Sequence, residues 1–376
     1  MSLPAVMFQE RETASGHRIG HVTLHRQRQL NALNLEMCDL MLHRFRHWRS
    51  DEGIVAVLLD GAGDKGLCAG GDVADLIRHV RAGGPQRFAH GDAFFEVEYQ
   101  LDRLIHEFPK PVVVYIHGIC MGGGIGLTAG ASHRVVSDGA RVAMPEIQIG
   151  MFPDVGGGWF LNRVPGGAGL VMALTGLTIN EADMLFAGLA DYFVPREARD
   201  ELYAKLLGHG WTGDATWDRK SLTCLMLSQH ERFRTGLPSS NMQPRFETLR
   251  LIAAQPCVSA VRDALLAAAA DDPWFRVPAD SLAHGSPTAA HVTWEYLRRC
   301  RRLSLAEVLT RDLPLARQFL RRADFPEGVR ALLIEKDRRP VWSPGRFEDV
   351  TPALVAAHFT GQDRSAERGP DTEHPG

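Results

Sequence analysis

Short apolar runs alternate with segments in which apolar residues recur every three or four positions, and this pattern predicts an α/β protein. Ile19 to Leu24 alternates like a half-buried strand, and residues 37–48 then carry apolar side chains at helical spacing. Asn34 stands just before that segment, where its side chain is suited to cap the first turn. Ile54 to Leu59 is a continuous apolar run, typical of a strand covered on both faces. The chain is therefore predicted to begin with a strand, a helix and a second strand.

The same alternation continues to about residue 205. A helix is predicted to begin near Asp72, and another is predicted to end before Pro109, because the residue before a proline disfavours helical backbone. Further along, the pattern predicts strands at Pro111 to Ile116, Arg134 to Val142 and Tyr192 to Val194, and helices at Leu170 to Leu174 and Ile179 to Leu189.

Beyond about residue 205 the strand pattern fades and helical spacing dominates, notably over residues 292–334. Residues 361–376 are polar and rich in Pro, Gly and charge, which is typical of disorder. We therefore predict a core carrying the active site over residues 1–205, a mainly helical region over 206–360 and a disordered tail over 361–376.

Two glycine-bearing turns follow predicted strands. Gly70 and Gly71 come after the strand at 54–59, and Gly122 to Gly124 come after the strand at 111–116. Glycine lets backbone N–H groups approach a ligand closely, and open α/β folds bind ligands where strands end. The two turns are therefore expected to form two walls of one site, suited to an anion or oxyanion. Tight turns and close helix packing are the alternative explanation of these glycines.

Two carboxylates lie beyond the second turn. Glu146 and Asp154 each stand beside a proline in apolar surroundings, where a carboxylate is costly unless it has a task. Together with backbone donors they indicate chemistry on a carbonyl group. The structural alternatives are that Glu146 caps a turn after Pro145 and that Asp154 caps a helix begun by the glycines at 156–158.

Composition narrows the possible partners and the compartment. The chain has 42 basic and 45 acidic side chains and a net charge of −3, so no global field favours nucleic acid or a membrane as a partner. Six scattered cysteines form no metal-ligand spacing and indicate a reducing compartment. The N-terminus lacks the pattern of a signal peptide, and no apolar window approaches the roughly 20 residues that span a bilayer. We predict a cytoplasmic protein without a metal site.

The sequence carries two sets of motifs. The first set is Leu67 to Asp72, Gly118 to Gly126 and Met144 to Glu146, and the second is Met151 to Gly158, Ser286 to Thr288 and Asp324 to Asp337. The first set resembles the crotonase (enoyl-CoA hydratase/isomerase) superfamily. The second set resembles its 3-hydroxyisobutyryl-CoA hydrolase branch, and the C-terminal motif is the most specific of all. The resemblance implies an α/β fold, a spiral of ββα repeats with a mainly helical C-terminal region.

The resemblance also implies a role for each residue of the site. The N–H groups of Gly71 and Gly123 form an oxyanion hole for the thioester oxygen. Glu146 either attacks the carbonyl to give a mixed anhydride or activates a water molecule. Asp154 holds the 3-hydroxyl of the substrate or assists proton transfer. Glu98 contacts the substrate, with a solvated charge on a helix face as the alternative.

One departure from the superfamily separates the possible activities. Hydratases of this fold carry a second catalytic glutamate two residues after the triple glycine, where this chain has Gly126. Water addition to a double bond needs an acid and a base, so this departure favours thioester hydrolysis. The alternatives are an enoyl-CoA hydratase or isomerase and, from another class, a non-catalytic acyl-CoA-binding protein.

Coenzyme A is expected to enter only as part of the acyl-CoA substrate, and no cofactor is predicted. The resemblance places it over the segment around Ala32 and over Ala69 and Asp72 on the first glycine turn. The positive charge of Arg26 is expected to meet its phosphates. A solvated basic loop is the alternative for the segment around Arg26. Relatives often form trimers or hexamers, so a homo-oligomer is expected unless the long helical addition covers the surface that they use.

Overall fold

The computed structural model describes residues 4–360. The strands of this part form two sheets. The larger sheet has six strands in the order β1-β2-β3-β5-β7-β9, and the smaller has three in the order β4-β6-β8. β1 and β2 are antiparallel, and all other neighbours are parallel. The strands are β1 (Val6–Glu12), β2 (Arg18–Leu24), β3 (Ile54–Gly61), β4 (Gly66–Cys68), β5 (Val112–Ile116), β6 (Ile119–Met121), β7 (His133–Val136), β8 (Arg141–Ala143) and β9 (Tyr192–Phe193).

Helices cover the sheets and make up most of the second half of the described chain. Asn34 caps the first of them by accepting a hydrogen bond from the Met37 N–H at 3.0 Å, as predicted. A short π-helix covers Arg330–Ile334. The α-helices are α1 (Leu35–Ser50), α2 (Val73–Ala82), α3 (Ala89–His106), α4 (Gly123–Ala129), α5 (Gly157–Phe160), α6 (Ala168–Thr175), α7 (Glu181–Phe186), α8 (Arg199–Leu207), α9 (Ala215–Phe233), α10 (Phe246–Ala253), α11 (Val258–Asp271), α12 (Arg276–His284), α13 (Pro287–Cys300), α14 (Leu305–Arg321), α15 (Asp324–Val329) and α16 (Pro352–Ala356).

Three consecutive segments of the chain each give one strand to the larger sheet and the next strand to the smaller one. These pairs are β3 with β4, β5 with β6 and β7 with β8. The arrangement is the predicted spiral of repeats. The single strand predicted from Arg134 to Val142 is wrong, because residues 137–140 leave the larger sheet and the chain resumes as β8 in the smaller one.

The C-terminal helices share one hydrophobic core with the sheets. This core runs from Val6 to Phe359, and α13 and α14 pack on α5 while α14 also packs on α3. Between residues 206 and 360 the structure has no strand, as predicted. The boundary near residue 205 stays a prediction, and the predicted tail at 361–376 lies outside the described residues. Within residues 4–360, every helix is too short or too polar to cross a bilayer.

Candidate active site

The three strands of the smaller sheet all end at one cavity of about 340 Å³. Residues 69–71 follow β4, residues 121–123 end or follow β6, and residues 143–146 end or follow β8, and members of all three segments line the cavity. Parallel strands present their carboxyl ends at the same edge of a sheet, so the topology itself brings these segments together. The two glycine turns predicted to share a site do so.

The two turns approach each other closely because their glycines have no side chains. A Cβ atom placed on Gly123 would lie 3.4 Å from the Gly71 nitrogen. Gly70 and Gly122 have φ values of +103° and +49°, which a side chain disfavours. Gly123 is the first residue of α4, so its N–H has no acceptor within the helix. The Gly71 N–H likewise donates no hydrogen bond within residues 4–360. Both donors are therefore available at the cavity.

A neighbouring loop fixes the first turn. Arg26 donates through Nη1 to the Ala32 carbonyl at 2.7 Å and through Nη2 to Asp72 Oδ2 at 2.9 Å. The Ala69 N–H donates to the Leu30 carbonyl at 3.0 Å. The residues predicted to contact CoA therefore do lie on adjoining segments. Part of the Arg26 guanidinium already binds protein groups, and its contact with CoA stays a prediction.

Glu146 and Asp154 line the same cavity as the two turns. Glu146 Oε1 would lie 2.9 Å from a Cβ atom placed on Gly122, and Glu146 Oε2 has no hydrogen-bond partner in the described chain. Asp154 Oδ2 accepts a hydrogen bond from the Tyr99 hydroxyl at 2.5 Å. Neither the helix that follows Asp154 nor the turn that follows Pro145 has a side-chain cap among the described residues, so both structural alternatives, Asp154 and Glu146 as caps, are wrong.

The pKa values of Glu146 and Asp154 are both raised above their ordinary values. Burial, and after it the charge of Asp154, raises the pKa of Glu146 well above its ordinary value. Burial also raises the pKa of Asp154, to about 6, against the opposing hydrogen bond from Tyr99. Two buried carboxyl groups that share a cavity resist ionising together, which adds to the effect of burial on the pKa of Glu146.

Glu98 lies beside the second glycine turn and not on a solvated helix face. Its side chain is 2% exposed, and its Oε1 would overlap a Cβ atom placed on Gly123. Burial, followed by the charge of Asp154, raises its pKa well above the ordinary value. The alternative of a solvated surface charge is wrong, and the contact with substrate stays a prediction.

Asp102 is a buried acid that the sequence analysis missed. It lies one turn after Glu98 on α3, and neither of its carboxyl oxygens has a hydrogen-bond partner among the described residues. Burial, then the charges of Asp154 and Asp312, raises its pKa well above the ordinary value. The spacing of four residues from Glu98 places both on one helix face and was the available signal.

Replacing Asp102 with a side chain that does not ionise is expected to stabilise the folded protein. A carboxyl group whose pKa is raised by folding holds its proton more tightly in the folded state, so wild-type stability falls as pH rises above about 4. Asp102→Asn does not titrate, and we expect its free energy of unfolding at pH 8 to exceed that of wild type by about 1–3 kcal/mol. Urea unfolding at pH 5 and pH 8 tests this, and a difference that does not grow with pH contradicts it.

The C-terminal region supplies part of the cavity wall. Leu332 and Leu333, on the π-helix, line the cavity opposite the strand ends. Arg330 holds this helix in place through ion pairs with Glu327, Glu335 and Asp337 at 2.8, 2.7 and 2.6 Å. The specific C-terminal motif therefore shapes the site directly. Other apolar or thioether side chains on the wall are Val73, Phe94, Phe95, Ile149 and Met151.

Comparison with known proteins places this geometry among acyl-CoA enzymes. Residues 19–359 match the family described as enoyl-CoA hydratase/isomerase. The mitochondrial 3-hydroxyisobutyryl-CoA hydrolase of Xenopus tropicalis is 35% identical over 353 residues, which is 91% of this chain and 86% of that protein. The human mitochondrial 3-hydroxyisobutyryl-CoA hydrolase is 33% identical, over 90% of this chain and 86% of its own.

Solved structures agree on the fold. The structure of an enoyl-CoA hydratase from Rhodobacter sphaeroides has a TM-score of 0.82 and 32% identity, covering 95% of this chain and 98% of that one. A carnitinyl-CoA dehydratase from Mycobacterium thermoresistibile has a TM-score of 0.81 and 34% identity, covering 94% and 96%. Both the fold and the order of its elements are therefore shared along nearly the whole chain.

Proposed function

This chain belongs to the enoyl-CoA hydratase/isomerase family, and we propose that it hydrolyses 3-hydroxyisobutyryl-CoA, a short branched 3-hydroxyacyl-CoA thioester, to 3-hydroxyisobutyrate and CoA. The observation that carries the proposal is the meeting of two free backbone donors and two buried carboxyl groups in one largely apolar cavity. The names of the hydrolases of Xenopus tropicalis and human support the choice of substrate. The reaction belongs to valine breakdown if the substrate is the one proposed.

The backbone donors stabilise charge on the thioester oxygen. In the proposed reaction, the N–H groups of Gly71 and Gly123 bind this oxygen as negative charge develops on it. Donors fixed before the reaction need no rearrangement, and one such donor is worth about 3–4 kcal/mol in comparable sites. CoA leaves as the thiolate or thiol when the carbon–sulfur bond breaks.

Glu146 supplies the second half of the chemistry. Its ionised carboxylate either attacks the carbonyl carbon, giving a mixed anhydride that water then hydrolyses, or takes a proton from the attacking water. Asp154, held by Tyr99, binds the 3-hydroxyl of the substrate or assists the proton transfer. We propose both roles on the positions of the two groups in the cavity.

The hydratase alternative conflicts with the surroundings of Gly126. A Cβ atom placed there would lie 2.7 Å from Asp102 Oδ2 and 2.7 Å from the Val155 Cβ. A side chain at this position would displace both groups, so the second glutamate of hydratases has no room. The titles of the two solved structures name a hydratase and a dehydratase, which makes a direct comparison of activities necessary.

Two assays on purified protein separate the activities. Release of free CoA from 3-hydroxyisobutyryl-CoA is followed with a thiol reagent, and loss of the double bond of crotonyl-CoA is followed by its ultraviolet absorbance. Thiol release without loss of the double bond supports hydrolysis. Loss of the double bond alone supports the hydratase, and binding of both thioesters without turnover supports a non-catalytic protein.

Hydrolysis is expected to fall on acidification at a higher pH than an ordinary carboxylate requires. Glu146 acts when ionised, and its raised pKa places the acid limb of kcat/KM above the ordinary glutamate value of 4.5. Asp154→Asn removes a neighbouring negative charge, so the pKa of Glu146 falls and the limb moves to lower pH. Rates measured from pH 5 to 9 test this, and a wild-type limb near pH 4.5 contradicts it.

The remaining expectations stay proposals. We propose that the reaction needs no cofactor beyond the CoA carried by the substrate, and that the protein is cytoplasmic. The names of the frog and human hydrolases place those two proteins in mitochondria. Fractionation of the source cells tests the compartment, and light scattering of the purified protein tests the predicted homo-oligomer.

A further inference from the structure

The backbone that carries Asp154 is strained. Val155, the next residue, has a φ of +49°, and Gly156 has a φ of +83°. A β-branched residue in the left-handed region costs on the order of 1–3 kcal/mol, and such a conformation persists only when its surroundings hold it. The Asp154 carbonyl accepts a hydrogen bond from the Gly157 N–H at 2.7 Å, which closes the turn locally. The turn therefore needs further support from outside.

Two buried side chains of the C-terminal helices give that support. Asp312 on α14 accepts a hydrogen bond from the Gly156 N–H at 2.8 Å through Oδ2. Tyr296 on α13 accepts one from the Gly158 N–H at 2.8 Å and donates its own hydroxyl to Asp312 Oδ1 at 2.6 Å. Together with the backbone from Gly156 to Gly158, these three hydrogen bonds form a ring, which we call the Asp312–Tyr296 clamp. Asp312 and Tyr296 are 0% and 1% exposed, so water does not compete.

The helices that carry the clamp pack closely against the glycines of the turn. A Cβ atom placed on Gly158 would lie 2.7 Å from the Cys300 Cβ and 2.8 Å from the ring of Tyr296. The helices thus rest directly on the turn backbone. Movement of Asp312 reaches Asp154 through two peptide units, and movement of Tyr296 reaches it through four.

We propose that Asp312 and Tyr296 are positioning residues for the reaction: the clamp holds the Asp154 side chain in the cavity. The inference rests on the role proposed above for Asp154. It assigns to the C-terminal helices a function in catalysis besides their share of the cavity wall.

Two conservative variants test the clamp. Tyr296→Phe breaks it, and we expect kcat to fall about 10–100-fold, since small misplacements of a catalytic group have effects of this size. Asp312→Asn keeps an oxygen for the Gly156 N–H, and for this variant we expect kcat to stay within about tenfold of wild type.

The chain provides a matched control. Tyr203 on α8 donates a hydrogen bond to Asp60 Oδ2 at 2.8 Å. Tyr203 belongs to a second hydrophobic cluster, separate from the core around the cavity, so Tyr203→Phe breaks the same kind of bond without touching the site. We expect Tyr203→Phe to lower the urea midpoint as Tyr296→Phe does, while leaving kcat and the pH profile at wild-type values. Equal kcat in the two Phe variants overturns the proposal.

Amide hydrogen exchange tests the clamp without any substrate. Tyr296→Phe is expected to speed exchange of the 156 and 158 amides more than that of amides in β3, and unchanged protection overturns the clamp. This readout also separates the two proposals. Absence of thioester turnover by the wild-type protein defeats the proposed function, whereas fast exchange in the variant still establishes the mechanical part of the clamp.

Discussion

Glu146→Gln is expected to lower the rate of thioester hydrolysis at least about 1,000-fold while leaving acyl-CoA binding within a few-fold of wild type. Glutamine fills the same space but neither attacks a carbonyl nor accepts a proton at neutral pH, and removal of a general base or nucleophile has effects of this order. The free Oε2 of Glu146 has no structural partner to lose in the described chain. The measurements are single-turnover CoA release and the affinity for a thioether analogue.

The control for this variant is a second glutamate with equal burial. Glu146 and Glu181 are both 6% exposed, and Glu181 accepts a hydrogen bond from the Gly139 N–H at 3.1 Å away from the cavity. We expect Glu181→Gln to cost stability and to leave the rate at saturating substrate unchanged. Undiminished turnover by Glu146→Gln refutes the catalytic assignment, and loss of turnover together with loss of analogue binding points to a collapsed site.

Gly123→Ala is the second substitution from which we expect a large loss, about 100–1,000-fold in kcat. The added methyl group would overlap Glu98 Oε1 and lie 3.4 Å from the Gly71 nitrogen, close to the place where the thioester oxygen is proposed to bind. Loss of one preorganised donor has effects of this size. Gly123 does not have a positive φ, so alanine is compatible with the backbone and the start of α4 is expected to remain.

Gly210→Ala is the matched control, because a Cβ atom at Gly210 meets no other atom within 4 Å. Circular dichroism and urea unfolding establish whether each variant keeps its fold. A Gly123→Ala enzyme that retains wild-type kcat shows that the oxygen does not bind between the two turns. A loss confined to KM contradicts the oxyanion hole as well, because uniform binding changes KM alone.

The repeating elements were predictable because their patterns are local. The continuous apolar run at 54–59 and the cap at Asn34 each depend on neighbours in sequence, and both are confirmed. The site was predictable to the same extent for a different reason. A glycine turn or a carboxylate beside a proline is conspicuous wherever it stands, so Gly71, Gly123, Glu146 and Asp154 were all chosen and all line one cavity.

The smaller sheet was not predicted, because its strands have three residues each. Such runs are shorter than any periodicity that distinguishes a strand from a turn. The apolar residues on both sides of residues 137–140 therefore looked like one strand. Only the pairing of β8 with β6, which are separated in sequence by a helix and a strand, defines the end of β7.

Asp312 was not predicted as part of the site for a related reason. Asp312 stands in a helix with charged neighbours at 311 and 307, and nothing in that segment marks it as buried. Its partner Gly156 is far from it in sequence, and its partner Tyr296 lies on another helix. A polar residue whose role depends on distant backbone is invisible to local patterns, whereas its complete burial in the folded protein makes it conspicuous.

The order in which a ribosome makes this chain gives the clamp a further consequence. Both glycine turns, Glu146 and Asp154 are synthesised first, and Tyr296, Asp312 and the two leucines of the cavity wall follow much later. A nascent chain therefore carries Glu146 and Asp154 before it has the side chains that position them and complete the cavity wall. Competence for turnover arrives late in translation, when α13, α14 and the π-helix have emerged and docked.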